Sequence, residues 1–371
     1  MASATRIFRF VLLGSGISAA QAEWQLNLPA GVTSTSQQIF GLHMLIFWIC
    51  VVIALLVFGA VALILLRYRR ARGAQPGGIH EHTWVEVAWT VVPFLVLALM
   101  AIPATRVLME MEDTTDPDLT IQVTGSQWKW RYEYIDQGIG YFSNLATPPE
   151  QRDDRAAKGE HYLLEVDRPL VVPVGRKVRF LLTSSDVIHA WWIPPLGLKK
   201  DAVPGFINEA WTRIDTPGIY RGQCAELCGV GHGYMPIVID ARSEADFAAW
   251  LTAEHAALAA ERGAAARTLP LRELMTRGKE VYTANCAACH QAGGEGLPGT
   301  FPPLKGSAVA TGPVAAHLAV VLHGRPGTAM PSFAQLSDLD LAAVVTYERN
   351  AWGNATGDTV QAADVTRARE E

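Results

Sequence analysis

The chain has 371 residues, half of them hydrophobic, a formal net charge of −5 and five cysteines. That length sets two or three domains as the expectation. The acidic balance argues against a nucleic-acid partner, and five cysteines are too few for a disulfide scaffold.

The N-terminus carries Arg6 and Arg9 before a short apolar run, then Ala20-Gln21-Ala22. This is the pattern of a secretory signal peptide over residues 1–22. Residues 39–66 are apolar without a formal charge, long enough to cross a bilayer. Arginines follow in 67–72 and fix that end on the cytoplasmic side. A second span over 84–105 leads into the acidic run "MEMEDTTDPD". Residues 23–106 therefore read as a transmembrane hairpin in a bacterial inner (cytoplasmic) membrane. Both termini and everything after 106 are expected in the periplasm. Glu86 lies near the inner end of the second span. A carboxylate at membrane depth is costly, which makes it a functional candidate against an interfacial residue reaching water. Cys50, inside an apolar run, reads as a small buried hydrophobe.

Residues 107–243 change character. Short alternating runs such as "LTIQVTG", "VRFLLTS" and "MPIVIDA", separated by turn residues, predict an all-β sandwich. Residues 244–270 read as a helix and linker, and 271–353 as an all-α unit by apolar spacing. The polar stretch 354–371 is expected to be a disordered tail.

Two clusters carry chemistry. In "CAELCGVGHGYM", Cys224, Cys228, His232 and Met235 fall within twelve residues. Cysteine, histidine and methionine close together at a strand end of a β-sandwich are the donor set of cupredoxin-like copper sites, and soft sulfur favours copper. A blue-copper site uses one thiolate. Two thiolates fit either one copper ion or a bridged pair, and a pair needs a second imidazole from elsewhere. His189, ending the run "VRFLLTSSDVIH", is available, whereas His161 begins a strand without such neighbours. Structural zinc or a disulfide are the plainer alternatives.

Here the chain resembles a known family. "CAELCGVGHGYMP" is similar to the copper A signature of subunit II of haem–copper cytochrome oxidases. "SSDVIHAWWIPPLGLKKDAVPG", "GSQWKWRYEY" and "VEVAWTVVP" resemble its flanking segments in the same order. The resemblance implies copper ligation by His189, Cys224, Cys228, His232 and Met235, and by Glu226 through its backbone carbonyl. It implies a magnesium site near the Glu226 side chain, shared with subunit I. It implies that Trp128 receives electrons, although Trp128, Trp130, Tyr132 and Tyr134 also read as a half-buried aromatic strand. It matches Glu86 to the mouth of a proton pathway. Phe206 departs from the family, many members of which carry a basic residue there.

The second cluster is "CAACH". Cys286 and Cys289 are spaced for haem thioethers and His290 for the proximal iron ligand. A zinc or redox CxxC with a chance histidine is the alternative. "GTAMPSF" puts Met330 forty residues after His290. The unit resembles a class I cytochrome c domain with Met330 as distal ligand, His317 and His323 being the rivals.

Together these make a two-centre electron carrier, resembling subunit II of a caa-type cytochrome c oxidase. The implied cofactors are dinuclear copper and covalent haem c. The implied partners are subunit I, bearing haem a and copper B, subunit III, and an external periplasmic donor such as a cytochrome c. His43 is the one histidine within a span, so oxygen chemistry and proton translocation are assigned to the partner. Competing readings are the input subunit of a copper-A nitric oxide reductase and a membrane-anchored copper carrier.

Overall fold

The computed structural model describes residues 27–69, 73 and 81–370; the expected signal peptide and Arg70 and Arg72 lie outside them. Two long helices open it, α1 (Ser34–Arg67) and α2 (Thr83–Met111). Thr33 caps α1 by accepting from the Ser36 amide, with Ser36 bonding back, which satisfies donors that a helix start leaves open. The apolar side chains face outward, Leu55 at 70 %, Phe58 at 71 % and Trp84 at 78 % exposure. Both helices are long and apolar enough to cross a membrane, a setting in which outward apolar side chains avoid water.

The outer end of the hairpin is bonded to the next domain. Thr33 Oγ1 donates to the Leu196 carbonyl at 3.0 Å, and Trp211 Nε1 to the Glu110 carbonyl at 3.1 Å. That domain is the expected sandwich. Its first part is β1 (Leu119–Ser126), β2 (Lys129–Tyr134), β3 (Ile139–Ser143), a short helix α3 (Pro149–Arg152) and β4 (Leu170–Pro173). The rest is β5 (Val178–Ser184), β6 (His189–Ile193), β7 (Leu198–Ala202), β8 (Asn208–Thr212), β9 (Gly218–Cys224) and β10 (Pro236–Arg242). The strands form two five-stranded sheets, β3-β2-β1-β5-β8 and β4-β10-β9-β6-β7. Alternation puts Trp130, Tyr132, Phe180 and Trp191 inward, all fully buried. Each contributes about 1.5–3 kcal/mol or more by leaving water.

Helix α4 (Glu244–Ala265) packs Phe247 and Trp250 against this core, and its far end bonds Glu261 to Arg277 and Ser337 of the C-terminal domain. It bridges the two domains as a rod. The C-terminal domain comprises α5 (Leu271–Asn285), α6 (Ala287–His290), α7 (Ala308–Thr311), α8 (Val314–His323), α9 (Asp338–Asn350) and α10 (Ala362–Glu370). Helices α5 and α9 cross at Gly278, where a Cβ would stand 2.1 Å from the Ala343 carbonyl. A side chain there would force the helices apart.

The hairpin, sandwich and helical domain are those expected. The tail is not. Residues 354–371 were expected to be disordered, but Val360, Ala362 and Val365 are buried and α10 packs on α8 and α9. Ala362 and Val365 on the helix, with Val360 just before it, suffice to dock a segment whose composition is otherwise polar. Cys50 also departs from expectation, being exposed on the lipid-facing surface of α1.

Candidate metal centres

Strand β6 begins at His189 and β9 ends at Cys224, and the two strands pair, Trp191 with Cys224. Residues 35 positions apart are thereby brought to one end of one sheet. The loop from β9 to β10 then turns back over that end. Cys224 Sγ and Cys228 Sγ are 3.8 Å apart, too far for a disulfide bond. His189 Nδ1 lies 3.9 Å from Cys224 Sγ and His232 Nδ1 3.6 Å from Cys228 Sγ. Met235 Sδ is 3.5 Å from Cys228 Sγ, and the Glu226 carbonyl 3.3 Å from Cys224 Sγ. Four further donors surround the pair of thiols, with one imidazole at each. A tetrahedral zinc site would not use thioether and carbonyl beside these four. Such a set of sulfur, imidazole and carbonyl donors could hold soft metal ions.

The surroundings hold the donors in place. His189 Nε2 bonds Asp186 Oδ1 at 2.9 Å, which leaves Nδ1 as the ligating nitrogen. Burial works against the Asp186 carboxylate, yet hydrogen bonds from His189 and two backbone amides hold its pKa below the usual range. Burial lowers the His189 pKa, but Asp186 and Cys224 outweigh it and lift it to about 8. Burial raises the Cys224 thiol, but His189 outweighs it and leaves the group below its ordinary value. Cys228 is pushed up by burial and by the Cys224 thiolate, as expected of two like groups titrating as a pair. Gly125 keeps room for the ring, since a Cβ there would lie 2.9 Å from His189 Cδ2. Asp186 and Gly125 escaped the sequence reading. The spacing of Asp186 three residues before His189 was the available signal.

Trp128, half-buried, donates Nε1–H to the Cys228 carbonyl at 3.3 Å, and Gln127 Nε2 donates to the same oxygen at 2.7 Å. Glu226 points its side chain to solvent while its carbonyl turns inward. Phe206 is 68 % exposed. Glu86 sits in the first turn of α2 and accepts from the His82 amide at 3.4 Å.

In the helical domain, Cys286, Ala287 and Met330 pack against one core cluster. His290 is buried, and its Nδ1 bonds the Pro302 carbonyl at 2.8 Å, which leaves Nε2 with the lone pair. That is the state an iron ligand requires, and Pro302 was another residue missed. His317 Nε2 is bonded to Glu348 at 2.7 Å, and His323 is exposed at the end of α8. Both motifs meet at a cleft of about 760 Å³, lined by Trp128, Val230 and Gly231 on one side and Asn285 and Ala288 on the other.

A sandwich with a convergent sulfur–imidazole site, tethered to a membrane hairpin and to a CxxCH domain, defines a membrane-bound electron-transfer protein. Residues 21–107 match the family described as cytochrome C oxidase subunit II, transmembrane domain, and 119–242 its periplasmic domain. Residues 273–347 match cytochrome C oxidase, cbb3-type, subunit III. The probable cytochrome c oxidase subunit 2 of Rickettsia felis is 35 % identical over 247 residues, 66 % of this chain and 77 % of that one. The mitochondrial cytochrome c oxidase subunit 2 of Vigna unguiculata is 39 % identical over 63 % of this chain and 62 % of that one. Among solved structures, the periplasmic domain of subunit II of cytochrome oxidase from Bradyrhizobium japonicum shares 39 % identity. It covers 38 % of this chain and 96 % of that one, with a TM-score of 0.35. The chain belongs to the cytochrome c oxidase subunit 2 family. It is the electron-input subunit of a haem–copper terminal oxidase, with a cytochrome c domain fused at its C-terminal side. It is a membrane protein with two spanning helices and a periplasmic domain. Its domain classes imply a copper A centre and a haem c.

Proposed function

We propose that His189, Cys224, Cys228, His232 and Met235, with the Glu226 carbonyl, hold a dinuclear copper centre. Cys286 and Cys289 attach haem c, with His290 and Met330 as axial ligands. When bound, these groups supply one-electron carriage. The residues supply its geometry. Cys224 and Cys228 would hold the two ions between them, and such a pair would supply one-electron carriage with little rearrangement of the residues that hold it. Asp186 orients His189, and Pro302 orients His290. Burial of Cys224, Cys228 and Met235 to 3 % exposure or less keeps water from the thiols.

The observation that carries this reading is the cleft shared by Trp128 and the "CAACH" segment, with Trp128 bonded to Cys228. It makes Trp128 the relay between the fused domain and the copper ligands. An external periplasmic donor such as a cytochrome c then reaches the fused domain rather than Trp128. Exposed Phe206, Ile207, Leu227 and Val230 at the copper end of the sandwich form an apolar surface suited to subunit I. Glu226 faces the same side and suits a magnesium ion shared with that subunit, and subunit III completes the assembly. The setting is the bacterial inner membrane with both termini outside.

The test is metal and haem analysis of the purified oxidase. Two coppers per chain in this subunit, a mixed-valence electron paramagnetic resonance signal and a methionine–histidine haem c spectrum are expected. One copper, or zinc, refutes the dinuclear assignment. For the proton pathway, Glu86→Gln should slow turnover while both spectra stay intact, and unaltered turnover refutes the role.

A further inference from the structure

Along β2, Trp130, Tyr132 and Tyr134 face the sandwich core, so Lys129, Arg131 and Glu133 face outward. Phe142 stands opposite Arg131 on β3 and shares that outward face. An outward face normally meets water. This one meets the helical domain, and Lys129 is only 6 % exposed. Its Nζ bonds Asn285 Oδ1 at 2.8 Å, next to Cys286, and lies 4.7 Å from the Phe142 ring centre and 5.2 Å from that of Phe333. Phe142 and Met330 both pack against the core cluster that includes Phe333. The copper domain thus touches the C-terminal domain at the residue before the haem motif and at the loop after Met330.

That loop is gripped from two directions. Arg131 Nη1 donates to the Gln335 carbonyl at 2.9 Å. From α10, Arg369 donates Nη1 to the Ala334 carbonyl at 2.6 Å and Nη2 to the Leu336 carbonyl at 2.7 Å, while its Nε bonds Asp338 at 2.6 Å. Three successive carbonyls are therefore taken by two guanidinium groups, one from each domain. Each group has its own carboxylate, Glu133 for Arg131 and Asp338 for Arg369. A guanidinium presents several donors in a fixed plane, and so it fixes direction as well as distance.

We propose that Arg131 and Arg369 are positioning residues for the distal haem ligand. By fixing residues 334–336 they hold the Met330 loop closed, and Arg131 makes that hold depend on docking of the two domains. This rests on the reading of Met330 as the distal ligand. A thioether is a soft donor and binds the softer, reduced iron better, and methionine ligation raises the haem potential. A slack loop releases methionine from oxidised iron first, and the potential falls. Docking then keeps the haem potential high where delivery to the copper side occurs, and separation lowers it.

The experiment uses the full chain in purified oxidase, with the haem c midpoint potential and the methionine–ferric iron absorption band as readouts. Loss of one charged hydrogen bond is worth about a tenfold change in the loop's closed population. Arg131→Ala should therefore lower the potential by at most about 59 mV, the one-electron equivalent of tenfold, and weaken the band. Arg131→Lys should fall between this variant and wild type. Arg131→Ala/Arg369→Ala should lose the band, with the copper signal unchanged throughout. An unchanged potential and band in Arg131→Ala, with a shift in Arg369→Ala, would show that the loop is held within one domain and overturn the proposal. A wild-type oxidase without the band refutes the Met330 assignment itself, a separate result.

Discussion

The copper and haem sites are built on opposite plans. Every proposed copper donor sits at one end of a rigid sandwich, on paired strands or on the single loop that closes them. His189 is fixed by Asp186, and the loop that carries Cys228 is held at the Cys228 carbonyl by Gln127 and Trp128. The haem donors lie on a one-turn helix and a long loop, His290 at one and Met330 at the other. Their supports are remote, the Pro302 carbonyl for one and arginines 131 and 369 for the loop beyond the other. A preorganised strand-end site needs all its donors at once. A covalently anchored cofactor can lose one and stay.

The largest expected effect tests this difference directly. Cys228 stands within 4 Å of Cys224, His232 and Met235, so Cys228→Ser removes the centre of the site. The copper pair should be lost entirely, read as loss of the mixed-valence signal and of at least one copper per chain. The sandwich should remain folded by circular dichroism, since its core lies between the sheets. Retention of a two-copper signal would contradict the bridging role. Met330→Ala should do less. Haem stays attached through Cys286 and Cys289, while the methionine–iron band disappears and the midpoint potential drops. Full retention of the band would assign the distal position to another residue.

What could be read from the residues follows the same division. The convergence of Cys224, Cys228, His232 and Met235 was legible because sulfur and imidazole at short spacing have few alternatives, and that of His189 because its strand context was distinctive. The sandwich was legible from alternation. Alternation also misled, since it predicts Lys129 at a water-facing position, and only a second domain explains its burial. A contact between domains leaves no periodic trace in either one. The tail failed for a related reason. Its polarity suggested disorder, yet docking rests on Val360, Ala362 and Val365 with Arg369, too few residues to alter the composition.

A smaller effect is expected at Gly231. A Cβ there would stand 2.3 Å from Trp128 Cδ2, so Gly231→Ala pushes the indole away from Cys228 without touching a donor. Misplacing a group by about 1 Å can cost up to about a hundredfold in rate. A loss of about tenfold or more in haem-to-copper transfer is expected by flash photolysis, with both equilibrium spectra preserved. A normal rate would remove Trp128 from the route.

The smallest effect concerns the seat itself. Burial holds the Lys129 ammonium down to about 8, from an ordinary 10.5. The separated domains therefore bind this proton more tightly than the docked ones. Between pH 8 and 10.5 the undocked state holds more protons, so docking strengthens as pH rises through that window and is weakest below it. Protease cleavage of residues 266–270, between α4 and α5, should slow accordingly from pH 7.5 to pH 9.5, values about as far apart as the window is wide. Lys129→Met removes the titrating group and packs the same space between Phe142 and Phe333. Replacing a buried charge by an apolar side chain of similar volume is often neutral or stabilising, so docking should persist and its pH slope should vanish. A slope that survives in Lys129→Met would place the titrating group elsewhere in the interface. Collapse of docking at every pH would mean instead that the bond to Asn285, and not the apolar packing around it, seats the domain.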